Sequence, residues 1–199
     1  MTGRLIVVDG IDGGGKTTQM AAIEDWLEGQ GQTVVRFRDP GSTDVGDRLR
    51  TVLLDSDLTM HRRTEALLFM AARSELIARC IEPALERGEV VLCDRYLLST
   101  VVHQSVGGGV SPSDLWRVGR WATGGLDPDL TLLLDLPAAV SMRRVGDETD
   151  RMESRGEDYL ESVRQAYLRE LPQAGGRGVV IDATAGIDDV TRQIQSVLN

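Results

Sequence analysis

The chain has almost no lysine: of its 22 basic residues one, Lys16, is lysine, and the other 21 are arginine. Cysteine is nearly as scarce. Cys80 and Cys93 stand far apart in apolar surroundings, which excludes a disulfide framework or a cysteine metal site and leads us to expect two buried thiols in a reducing compartment, the cytoplasm. Aromatic residues make up 4% of the chain and only two are phenylalanine, so a phenylalanine inside a polar motif carries weight. No run approaches the roughly 18 uninterrupted apolar positions of a membrane span, and MTGRLIVVDG has neither the length nor the cleavage site of a signal peptide. No membrane association is therefore expected. A net charge of −9 argues against non-specific binding to nucleic acid, so any anionic ligand has to be captured locally.

What is present is a chain of 199 residues with alternating strand and helix signals and no repeat, low-complexity tract or dividing linker. That length buries about two-thirds to three-quarters of the unfolded surface around one core, so a single domain over 1–199 is expected. LIVVDG reads as a strand, and TTQMAAIEDWLEGQG carries Met20, Ile23, Trp26 and Leu27 at helical spacing before a glycine stop. TVVRF, EVVLCD, LTLLLDL and GVVIDA repeat the strand signal. DVGDRLRTVLLD, a long segment from about Thr64 to Arg87 with Pro83 near its end, SPSDLWRVGRWA, PAAVSMRRV, EDYLESVRQAYLREL and IDDVTRQIQSVLN read as helices. The strands lack a polar face, as expected when helices cover both sides of a parallel sheet, so the expected class is α/β, doubly wound.

Gly10, Ile11, Asp12, Gly13, Gly14, Gly15, Lys16 and Thr17 match G-x-x-x-x-G-K-[ST] between a strand and a helix. Glycines let backbone N–H groups converge on phosphate oxygens, and the helix N-terminus adds a favourable dipole. An ammonium enters such a nest as a point charge, whereas a guanidinium is a wide planar fork. This explains why lysine survives only at position 16. Lys16 is expected on the β- and γ-phosphates of ATP, the Thr17 hydroxyl on Mg2+, and Thr18 beside them.

A phosphate loop alone fits a kinase, a switch GTPase, a ligase or a structural ATPase. FRDPGSTDVGDRLR, LLFMAARSEL, CDRYLLSTVVHQSVGGG, PDLTLLLDLP and DRMESRGEDYLESVRQAYL, in this order, make the chain resemble the thymidylate kinases from about Leu5 to the C-terminus. The resemblance implies the fold of the nucleoside monophosphate kinases, transfer of a phosphoryl group from ATP to deoxythymidine monophosphate (dTMP) with Mg2+, and a homodimer. It also implies roles. Phe69 and Arg73, at i and i+4 on one helix face, would stack on thymine and bond its O4. Arg95 would take the acceptor phosphate, with Asp94 in the magnesium neighbourhood at a strand's carboxyl end. Ser99, Thr100 and Gln104 would line the nucleotide pocket, and His103 stands where many relatives carry tyrosine near the sugar's 2′ carbon. Asp12 would face the acceptor's 3′-hydroxyl or phosphate surroundings, and Arg38 of Arg38-Asp39-Pro40 the acceptor phosphate. Asp9 replaces the usual glutamate, and Pro40 is a candidate cis proline.

A lid over about 143–155 would close on the donor phosphates and exclude water. Some relatives place an arginine in the phosphate loop, where this chain has Gly13 and Gly14. The cation is then expected from the lid, with Arg144 and Arg151 as candidates and Arg143 beside them, and with Asp150 and Glu153 toward the acceptor sugar. Two alternatives stay open: a kinase for another nucleoside monophosphate or a deoxynucleoside, and a nucleotide-binding module without turnover. Against the latter, the chain has no Asn-Lys-x-Asp guanine-reading element.

Overall fold

The computed structural model describes residues 3–55, 57–145 and 156–199. Strands β1 (Arg4–Asp9), β2 (Val34–Arg38), β3 (Val90–Asp94), β4 (Leu130–Asp135) and β5 (Arg177–Asp182) form one parallel sheet in the order β2-β3-β1-β4-β5. The fold is α/β, as the alternating sequence pattern implies. From β1 the chain moves one way along the sheet to β2, and every later step runs the opposite way. Because such crossovers are right-handed, this reversal puts α1 (Lys16–Gly29) on one face and the helices of the later crossovers on the other. The C-terminal α9 (Ile187–Leu198) returns to pack on α1. The reversal point, outside the carboxyl ends of β1 and β3, is where an open sheet of this kind binds ligands.

The interior strands have no polar face: Leu5 to Val8, Val91 to Cys93, Leu130 and Leu132 are each at most 1% exposed. The edge strands depart from the expected pattern. β2 and β5 alternate toward solvent, and Val180 is 47% exposed, because an edge strand is covered on one side only. Cys93 is buried as expected, whereas Cys80 is only half-buried, its Sγ 3.7 Å from the Ser42 carbonyl.

The long helical segment begins at Arg62 rather than Thr64, with His61 capping it through Nδ1, and it is not a simple helix with a proline kink. α3 (Arg62–Leu76) passes through one wide π-helical turn, Ile77–Ile81, into the short α4 (Glu82–Glu86). Proline cannot donate to the preceding turn, and the wide turn lies immediately ahead of Pro83. α2 (Asp44–Leu54) packs along α3, and α5 (Leu97–Ser105) contacts α3, α6 (Pro112–Ala122) and α8 (Glu157–Glu170). Ser111 caps α6 by accepting from the Asp114 N–H. The expected helix PAAVSMRRV is α7 (Ala138–Val145).

Candidate active site

The phosphate loop is held in shape by its glycines. Gly10 has φ +134°, and a Cβ there would stand 2.5 Å from the Leu134 carbonyl oxygen of β4. Gly13 (φ +75°) packs against Ser141 of α7, and Gly15 (φ +85°) opens α1. Lys16 folds back over the loop, its Nζ donating to the carbonyls of Gly10 (3.0 Å) and Ile11 (3.1 Å) and to Asp12 Oδ1 (2.7 Å). Burial and the Arg95 charge pull its pKa down, while Asp12 opposes them.

A cavity of about 510 Å3 runs from this loop across the carboxyl ends of β1 and β3, within the size range of small-molecule sites. It is lined by Asp12, Gly13, Gly15, Lys16, Thr17 and Thr18 of the loop and by Arg144, which bonds the Gly13 carbonyl. Asp94, Arg95, Phe69, Arg73, Ser99, Thr100, His103 and Gln104 line the rest of it, Ser99 beside Arg95 and Thr100 bonded to Arg73. Among the described residues, nearly every expected site residue thus lines one cavity. Gly10 and Gly14 are exceptions: they do not line the cavity and serve the loop's backbone path against β4. Arg38 is another. It lies on the exposed edge strand and lines a smaller neighbouring cavity with Ser42, Asp47, Thr17 and Asp94. The next residue, Asp39, turns inward instead. Arg151, Asp150 and Glu153 lie outside the described residues.

Arg73 is 1% exposed, an extreme position for arginine, and Nε and Nη2 are committed inside the protein while Nη1 meets the Met70 sulfur at 3.3 Å. Nε donates to Asp39 Oδ2 at 2.5 Å, and Nη2 to the Tyr96 carbonyl and Thr100 Oγ1. Asp39 is buried too, and burial raises its pKa while Arg73 opposes the rise. Phe69, one turn before Arg73, is half-buried and faces the cavity rather than the core. Gln104 is fully buried, yet neither its amide oxygen nor its amide nitrogen has a partner among the described residues.

Arg95 sits at φ +67°, a conformation that non-glycine residues rarely adopt and that clusters at functional sites. Its guanidinium reaches back to the loop, with Nη2 2.6 Å from Asp12 Oδ1 and Nη1 3.2 Å from the Gly10 carbonyl. Lys16 and Arg95 therefore meet on one carboxylate. Asp94, in register with Val8 of β1, keeps a buried Oδ1 with no partner among the described residues. Arg144 donates to the carbonyls of Gly13, Ala183 and Thr184, tying α7 to the phosphate loop and to the turn after β5. The cis peptide suspected at Pro40 is present, at Asp39–Pro40.

Sequence reasoning named Asp39 and Pro40 without a site role and missed Arg50 and Leu54, all of which line the cavity, and the buried Tyr167 behind it. Arg50 reads from sequence as one arginine of a surface helix. Tyr167 shares helical core spacing with Leu160, Val163 and Ala166 and looks like packing.

His103 lines the wall as a neutral imidazole: burial first, then the nearby Arg95 charge, pull its pKa from 6.5 to about 3. Between those values the unfolded chain takes up a proton that the folded ring refuses, so this residue lowers stability as pH falls through the window. The expected contribution is about 1 kcal/mol lost between pH 7 and 5.5. Urea unfolding at both pH values checks it: His103→Phe should flatten the slope, and an unchanged slope would mean that the ring protonates in the folded protein.

A family profile described as thymidylate kinase matches residues 8–194. The chain is 57% identical over 195 residues to a thymidylate kinase of Rhodopirellula baltica, an alignment that covers 98% of this chain and 80% of that protein. It is 42% identical to a thymidylate kinase of Bifidobacterium longum, over 98% of this chain and 97% of that one, and 41% identical to one of Neisseria meningitidis, over 100% and 98%. A phosphate loop with its lone lysine, a buried arginine and a half-buried phenylalanine lining the same cavity, and matches of this length together place one conclusion beyond the fold: the chain belongs to the thymidylate kinase family.

Proposed function

We propose that the protein transfers the γ-phosphoryl group of ATP to dTMP, giving dTDP. The observation that carries this reading is that one cavity is lined by Lys16 and the phosphate loop, by Phe69 and Arg73, and by Arg95. ATP lies along Gly13 to Thr18, and thymine stacks on Phe69 with its O4 toward Arg73. Thr100 and Gln104 border the base, Ser99 and His103 the sugar, and Arg95 holds the acceptor phosphate, assisted by Asp12. Arg38, on the neighbouring cavity, guides the phosphate only from outside, and Arg50 is better placed for that contact.

The acceptor's phosphate oxygen is already anionic, so no general base or protein nucleophile is needed. Positioning and charge stabilisation carry the catalysis. Lys16 and Arg95 hold donor and acceptor phosphates against their mutual repulsion. Arg144 braces the donor end, and Arg151, with Asp150 and Glu153, belongs to the lid segment that completes the site. The residues present fit Mg2+: Thr17 lines the cavity and Asp94 keeps a buried oxygen without a partner among the described residues. When bound, the ion neutralises charge on the donor oxygens. The remaining reading is of one kinase domain over 1–199 with its lid at about 143–155, a cytoplasmic homodimer that binds no nucleic acid. The acidic net charge supports the part of this reading that concerns nucleic acid.

The test is ADP production from ATP and Mg2+ against a panel of nucleoside and deoxynucleoside monophosphates at equal concentration. dTMP should lead by at least about tenfold, and chelation of Mg2+ should abolish turnover. A different preferred monophosphate would remove the base assignments of Phe69 and Arg73 and leave the kinase chemistry; no turnover of any would favour a binding module.

A further inference from the structure

Behind the cavity wall lies a buried tyrosine whose ring packs in the core and whose hydroxyl the reaction does not require. Tyr167, on α8, is 1% exposed, and its Oη meets polar groups of α5 and of the loop that precedes it. Arg95 Nη1 donates to it at 3.0 Å, Ser99 Oγ is 2.8 Å away, and His103 Nε2 is 3.2 Å away. Burial raises the phenol pKa well above its usual value, so the group keeps its proton.

Counting protons fixes the direction of each bond. The single Ser99 proton goes to Asp9 Oδ1 at 2.6 Å, the shortest of its contacts, so Ser99 can only accept from Tyr167. The phenol proton is thereby used. The 3.2 Å contact must then be a donation from His103 Nε2–H to the phenol oxygen, which leaves Nδ1 as the bare nitrogen of a neutral ring. Nδ1 is the ring nitrogen without a partner among the described residues. The result is a closed chain, His103 to Tyr167 to Ser99 to Asp9, into which Arg95 also donates. His103 and Tyr167 meet edge to face at 83°, which locks the ring orientation.

We propose that Tyr167 is a positioning residue for the acceptor: its phenol oxygen holds the Arg95 guanidinium and the His103 ring in one arrangement on the cavity wall without touching the acceptor itself. Asp9, one methylene shorter than the glutamate usual in the family, closes the chain by taking the Ser99 proton. The proposal rests on the assignment of Arg95 to the acceptor phosphate. Without the phenol oxygen the guanidinium keeps Asp12, the Gly10 carbonyl and Ser99 Oγ, the last two each 3.2 Å from Nη1, but loses the nearest partner of Nη1. Acceptor affinity should suffer and donor affinity should not.

The experiment is steady-state kinetics of Tyr167→Phe, Arg95→Lys and the double variant in the full chain, each substrate varied in turn. Tyr167→Phe should raise the KM for dTMP about tenfold, the scale of one lost bond to a charged group, and leave the KM for ATP within twofold. In the Arg95→Lys background the same change should move the dTMP KM less than twofold, since coupled neighbours are not additive. Equal rises in both KM values, no rise in either, or full additivity with Arg95→Lys would overturn the proposal and return Tyr167 to the core. If Arg95→Lys by itself leaves the dTMP KM unchanged, the Arg95 assignment falls and this proposal with it. Impaired Arg95→Lys with a silent Tyr167→Phe overturns this proposal alone. Should Tyr167→Phe fail to fold, 3-fluorotyrosine at 167 keeps the oxygen but weakens it as an acceptor. It should raise the dTMP KM in the same direction by a smaller factor, and an unchanged KM would overturn the proposal.

Discussion

Lys16→Ala should lower kcat on the order of a thousandfold or more at saturating ATP and dTMP, at the upper end of what one preorganised charge donor supplies. The reason is position as much as charge. Lys16 sits inside the loop curve, 9% exposed, where its ammonium meets two carbonyls and Asp12 without bulk solvent between them. Donor phosphates entering the same nest gain a poorly hydrated cation whose interaction is little screened. Lys16→Arg should also be severely impaired, because a planar fork cannot occupy the space of a point charge. The fold should survive. The two carbonyls lose a donor worth roughly 1–3 kcal/mol, a fall of several degrees in Tm for a chain of this size. Turnover within tenfold of wild type would remove the role given to Lys16, whatever the melting curve.

Arg73→Ala should fail twice, in stability and in binding. Its guanidinium and the Asp39 carboxylate are 1% and 0% exposed, so truncation strands a buried charge whose other oxygen already has no partner among the described residues. The expected cost is about 3–5 kcal/mol. Burial raises the Asp39 pKa and Arg73 holds that rise in check, so removing the arginine raises it further. A group whose folded pKa lies above its unfolded value binds more protons when folded, and its favourable contribution is lost as pH rises through the folded pKa. The deficit of Arg73→Ala should therefore grow from mildly acidic toward neutral pH, which urea unfolding at several pH values measures. Replacing both partners, Arg73→Met with Asp39→Leu, should recover most of the stability, because no charge is left buried. It should not recover dTMP binding. Restored binding in that pair would show that Arg73 acts on the acceptor only by supporting the helix.

Much of this site was legible before folding was considered. The phosphate loop is a run of eight residues whose meaning depends on its immediate flanks, a strand before and a helix after, and both were readable from their periods. Phe69 and Arg73 are four residues apart on one helix, so their shared face follows from helical geometry alone. The fold class followed from strands without a polar face alternating with amphipathic helices. The edge strands β2 and β5 broke that rule because being at an edge is a property of strand order, which no single strand's composition encodes.

The sequence by itself determined the class of fold, the phosphate-loop motif and the Phe69–Arg73 pair, since each is written in neighbours within about one turn of helix or one strand. Only the tertiary structure decided which charges meet. Asp39 reaches Arg73 across 34 residues of chain, and Arg95 reaches Asp12 across 83. Tyr167 closes a bond with Arg95 across 72, and Arg38 is left outside the cavity while Arg50 lines it. Those pairings depend on β3 lying beside β1 and on α8 crossing behind α5. Strand order and crossover geometry set them, and the local patterns that made each element readable carry no record of which elements will become neighbours.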